Sequence, residues 1–130
     1  MRILGLALAA ALAATGASAA DFKISFQWGN IPLCRGGTVP TVPSPSFVLR
    51  GVPAGTTSIQ FKMKDLNAPS FNHGGSGRLG ITRDGTLPAG VFTYKSPCPP
   101  GGVHTYEWTA TARVGNRVLG QAKAQRNYPE

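Results

Sequence analysis

TSIQFKMKD, residues Thr57–Asp65, places Thr57, Ile59, Phe61, Met63 and Asp65 on one face of a period-two strand and Ser58, Gln60, Lys62 and Lys64 on the other. Strict alternation of this kind marks a half-buried β-strand, and it sets how the neighbouring segments are read. The last residue breaks the rule, because Asp65 points where the apolar side chains point. A lone carboxylate on a core face costs several kcal/mol or more unless it is paired, hydrogen-bonded or lining a polar pocket. The rest of the sequence has to supply its partner.

Working outward, FKISFQW (Phe22–Trp28) alternates in the same way and predicts a second half-buried strand. GNIPLCRGGTVPTVPSPS (Gly29–Ser46) predicts a long loop, and the strand FVLR (Phe47–Arg50) leads through the turn Pro53-Ala54-Gly55 into the opening stretch. GRLGIT (Gly77–Thr82) and GVFTYK (Gly90–Lys95) are short strand candidates on either side of a turn in RDGTLPAG. GVHTYEWTATARV is a longer strand, and RVLGQAKAQ (Arg117–Gln125) closes a hairpin across Gly115-Asn116. Seventeen glycines and 11 prolines interrupt the chain, and no convincing amphipathic helix follows Asp21. The expectation is all-β: one compact β-sandwich-like domain over residues 20–130, without repeats or linkers.

Residues 1–19 read as an export signal. Arg2 gives the positive start, ILGLALAAALAA the apolar core, and Ala17-Ser18-Ala19 a small-residue cleavage site, with a cut after Ala20 an alternative. A retained anchor is the competing reading, but the run is short for a span and rich in alanine. No later stretch is apolar and long enough to cross a membrane, so a periplasmic or secreted protein without a stable span is expected. In that compartment Cys34 and Cys98 read as one disulfide; a reactive thiol is the alternative, with no CxxC pair to favour it.

The net charge is +8, and it favours anionic partners in general. The basic residues are scattered, with no basic run or interleaved aromatic ladder, which argues against nucleic acid. HGGSGR (His73–Arg78) has two readings: converging backbone N–H groups that cradle an anion, or a flexible surface loop.

In VHTYEWTATARV, His104, Tyr106, Trp108, Ala110, Ala112 and Val114 share a face. Alone, His104 there reads as a hydrogen-bonded core histidine. Its company changes the argument. The order of SPSFVLRGVPAGTTSIQFKMKDLNAPSFNH, FTYKSPCPPGGVHTYEW and AKAQRNYPE resembles the phosphatidylethanolamine-binding protein family, in its bacterial Raf-kinase-inhibitor-like branch. That family carries a Ser-Pro loop, a Gly-Val-Pro-x-Gly turn, Asp-x-Asp-x-Pro followed by a histidine, and a Gly-Pro-x-Pro-Pro loop before His-x-Tyr. The likeness runs from Phe22 to the C-terminal residues. It departs at Asn67, which replaces the second acid, at the glycine-rich stretch after His73, at Thr105, and in the turn that replaces a helix before the last strand.

The resemblance implies a small pocket for phosphate-like anions or phospholipid headgroups, bounded here by Asp65, Pro69, His73, His104 and Tyr106, with Pro97 and Pro99 shaping its rim. Asp65 would then face inward to pair with a histidine, since a carboxylate beside an imidazole favours the protonated ring. The function expected is an exported, non-catalytic binding protein with no cofactor. A disulfide-tied structural or interaction protein with a degenerate pocket is the alternative. A metal-dependent hydrolase using Asp65, His73 and His104 ranks below both, because no HExxH-type spacing supports it.

Overall fold

The computed structural model describes residues 21–34 and 37–130, so the expected export signal lies outside the described residues. Eight strands follow in order: β1 (Lys23–Gln27), β2 (Thr41–Pro43), β3 (Ser46–Arg50), β4 (Ser58–Asp65), β5 (Gly85–Leu87), β6 (Thr93–Lys95), β7 (His104–Val114) and β8 (Arg117–Tyr128). No helix occurs among the described residues. All pairings are antiparallel and form the sheets β1-β3-β5 and β4-β7-β8 and a short β2-β6 ribbon.

The alternation seen in the sequence is what closes the core. β4 presents Ile59, Phe61 and Met63, and its register sets Ile59 against Ala112 and Phe61 against Ala110, large side chains opposite small ones, while Met63 stands opposite Trp108. From the other sheet, Phe47 reaches the Phe61 ring with centroids 4.4 Å apart and the Trp108 ring at 5.4 Å. Tyr94 of the ribbon packs edge-on against Trp108 at 5.0 Å. Each of these aromatics contributes roughly 2–3 kcal/mol through burial alone, so two facing sheets with an aromatic centre hold the sandwich together.

Four local expectations are corrected. GRLGIT is not a strand: Leu79 exchanges two 2.9 Å backbone hydrogen bonds with Ile59, and then Ile81 N–H turns back to the Leu79 carbonyl. β5 falls instead inside the expected turn, where the Asp84 carboxylate accepts from Gly51 N–H (3.0 Å) and Val52 N–H (2.8 Å) and holds the following residues against β3. β2 forms within the expected long loop. On β7 the shared face runs only to Ala112, because a bulge there pairs Ala112 with Gly120 but Arg113 with Val118, and Val114 is turned out to solvent.

The stretch after His73 is neither a cradle nor a loose loop. Met63 N–H donates to Gly74 O (3.2 Å), Ser76 N–H to Phe61 O (2.8 Å), and Phe61 N–H to Ser76 Oγ (2.9 Å). These bonds cover the outer edge of β4. A Cβ at Gly75 would overlap the Phe61 carbonyl oxygen, so only glycine permits this approach.

Candidate functional site

Asp65 ends β4 directly opposite Tyr106 of β7. The chain turns sharply there because the carboxylate organises it: Oδ1 accepts from Asn67 N–H (2.8 Å) and Ala68 N–H (3.2 Å). Oδ2 accepts from His104 Nδ1–H at 2.7 Å, which fixes the ring tautomer, since an ionised carboxylate has no proton to give. Asp65 is only 4% exposed. Burial pushes its carboxyl pKa up, but the His104 bond, the two backbone donors and the charge of His104 together outweigh that and hold it below the usual value. The buried acid of the opening stretch is thus a turn anchor and the partner of a histidine. Asn67, standing where the resembled family has a second acid, accepts from Thr105 N–H at 2.8 Å and ties this turn to β7.

His73 reaches the same place from the edge segment. Its Nδ1–H donates to the Lys95 carbonyl (2.8 Å), while Lys95 N–H donates to the His73 carbonyl (2.9 Å), so β6 grips both ring and backbone. Burial lowers the His73 pKa, more than its hydrogen bonds and the Asp65 charge restore it. The Tyr106 ring lies edge-on to His73 at 5.6 Å and 6.3 Å from His104. Its hydroxyl is fully buried without a hydrogen-bond partner among the described residues. Burial first, and the Asp65 charge second, push that phenol well above its ordinary pKa and keep it a donor.

These four side chains line one cavity of about 240 Å³, closed by Val39, Ala68, Phe71, Cys98 and Pro100. Cys34 and Cys98 form a disulfide with Cα atoms 5.4 Å apart, linking the loop after β1 to the loop after β6. Both loops supply cavity walls, so the crosslink shapes the site as well as the fold. Four of the seven site residues expected from the sequence, Asp65, His73, His104 and Tyr106, therefore converge. The prolines do not: Pro97 is fully buried in the interior, Pro99 is half-buried beside it, and Pro100 takes the rim. Pro69 lies on a separate groove over the outer sheet face. Phe71 was missed, although an aromatic two residues before His73 in an otherwise polar turn was a signal for it.

Both histidines commit Nδ1 to the protein, which leaves Nε2 of each for a ligand. The phenol O–H can donate to a small oxyanion, an imidazole Nε2 does so once its ring takes up a second proton, and the apolar wall can take a short alkyl group. Among the described residues the lining is otherwise apolar apart from the Cys34–Cys98 crosslink. Among the described residues, no three His, Cys, Asp or Glu side chains are grouped closely enough to hold a metal ion. Two wider clefts, of about 440 and 470 Å³, lack this convergence of buried groups.

The chain matches no protein-family model and no curated protein. A solved structure does match: a phosphatidylethanolamine-binding protein homologue from Chlamydia trachomatis, with a TM-score of 0.62, 18% identity, and alignment over 85% of this chain and 98% of that one. The chain has a phosphatidylethanolamine-binding-protein-like fold, as the order of its motifs implies.

Proposed function

We propose that this chain is an exported, non-catalytic binding protein whose cavity takes a small phosphate-like anion, free or as a phospholipid headgroup. The observation that carries this reading is the Tyr106 hydroxyl, buried and without a hydrogen-bond partner among the described residues, beside two histidines whose Nδ1 atoms are already engaged by the protein. A hydroxyl kept dry without a partner costs about 1–3 kcal/mol, a penalty that a bound acceptor removes. The Asp65 carboxylate does not repel the anion outright, because three donors already answer it. At about 240 Å³ the cavity is below the range typical of drug-sized ligands, so it suits a headgroup and excludes an acyl chain. Export is supported by the disulfide and by the signal-like sequence at residues 1–19.

The test is an NMR titration of the disulfide-bonded protein with inorganic phosphate and phosphoethanolamine. The reading expects saturable shifts in the ring signals of His73 and His104, greatly weakened by Asp65→Asn. Unmoved rings with both ligands, under conditions where the fold is intact, would leave the cavity as a relic of the fold.

A further inference from the structure

The outward face of β4-β7-β8 carries a second, separate feature. Its side chains alternate with the core-facing ones, and the register lines them up across the sheet: Lys62 opposite Thr109 opposite Lys123, and Lys64 opposite Glu107. Two strand spacings put the Lys62 and Lys123 backbones about 10 Å apart. The segment around Pro69–Asn72 rises beside this face and makes it a groove of about 470 Å³, roughly twice the internal cavity. Phe71, 40% exposed, forms part of its wall, with the Lys95 ammonium 5.8 Å from the ring centre.

The charge here is one-sided. Among the described residues Glu107 is the groove's only carboxylate, 3.9 Å from Lys123 and bonded by Gln125 Nε2–H at 2.9 Å. Neither Lys62 nor Lys64 is in an ion pair among the described residues. A surface evolved only for solubility intersperses both signs. Around the lysines the lining offers hydroxyls and amides, from Thr109 and Gln121 among others, and one aromatic face.

We propose that this groove binds an anionic polysaccharide. The lysines, set in a row across three strands, meet acid groups carried on separate sugars; Thr109 and Gln121 hydrogen-bond hydroxyls, and Phe71 packs on the apolar face of a ring. The chain's excess of basic over acidic residues draws such a polymer in. A nucleic acid fits less well, because stacking of successive bases needs several aromatics and the groove has one. A lipid surface fits less well because a polar concave groove gives acyl chains little to bury. The inference is independent of the cavity, apart from the wall that Phe71 shares.

The test measures binding of polygalacturonate oligomers, with amide shifts mapped by NMR, alongside uncharged dextran, duplex DNA and phosphatidylglycerol vesicles. Expected are saturable, salt-weakened binding of the uronate with shifts centred on Lys62, Thr109 and Lys123, and little response to dextran. Replacing both lysines (Lys62→Ala with Lys123→Ala) should weaken uronate binding about tenfold, the effect of two exposed ion pairs of ordinary strength, with the melting temperature unchanged. The double variant should still give the cavity response to phosphate. No saturable uronate binding, equal binding of dextran, tighter binding of DNA or vesicles at this face, or an unaffected double variant would each overturn the proposal.

Discussion

Replacing Asp65 by asparagine should destabilise the domain in a pH-dependent way. The asparagine carbonyl can still accept from Asn67 and Ala68 N–H, but its NH2 group then meets His104 Nδ1–H donor to donor, where the native oxygen lies 2.7 Å away. The ring must change tautomer or turn away. A hydrogen bond to a charged group contributes about 1.5–3 kcal/mol, and the two retained backbone bonds weaken when the acceptor is neutral, so a deficit of about 2 kcal/mol is expected at pH 7. In a domain of this size that lowers the melting temperature by roughly 8–16 °C. The Asp65 carboxyl is held below its ordinary 3.8. A depressed folded pKa gives stability that is full above the unfolded value and is lost as pH falls through the folded one. The gap between native and variant should therefore stay constant down to about pH 5 and close below pH 4. Urea unfolding, followed by fluorescence of the buried Trp28 and Trp108, reads this directly. A variant as stable as the native protein at pH 7, or a gap unchanged at low pH, would refute the assigned role of the carboxylate.

His73, buried with a lowered pKa, binds a proton less readily folded than unfolded. Its contribution should make stability fall as pH drops below about 6.5, and a His73→Gln variant, measured by the same unfolding series, should lose that slope. Cys34→Ser opens a crosslink between residues 64 apart in sequence and should cost about 4 kcal/mol on the chain-entropy account, seen as a lower urea midpoint. Gly75→Ala drives a methyl into the Phe61 carbonyl oxygen and must displace the edge segment from β4; thermal melting should show a loss of more than about 2 kcal/mol, where an exposed-loop glycine would tolerate the change.

The long elements were legible because burial imposes a period of two on them. β1, β4 and β7 alternate over enough residues for the pattern to stand out, and the Gly115-Asn116 hairpin was marked by its glycine, which takes φ +55°. β2 and β5 have three residues each, too few to show a period, and they exist because long-range pairing holds them. The bulge after Ala112 has no local signature, which is why Val114 was placed on the wrong face. In the site, Asp65 and Tyr106 were readable as inward-facing strand residues and His104 as their neighbour, whereas no periodicity reaches His73. Its position depends on the grip of Lys95, a contact between residues 22 apart, and only the resemblance to a family pointed to it. No periodicity reaches the proline run either: Pro97 is buried, and Pro100, two residues beyond the crosslinked Cys98, is the one that lines the cavity.

The central claim, that the cavity is built to receive an oxyanion, is tested most directly by calorimetric titration of native protein and Tyr106→Phe with phosphoethanolamine. Because the native hydroxyl has no hydrogen-bond partner among the described residues, its removal should leave stability unchanged or slightly raised. The account predicts saturable binding to the native protein and a loss of about tenfold in affinity on removing one hydrogen bond to a charged acceptor. Equal affinity in the two proteins, or no binding to either, would contradict it.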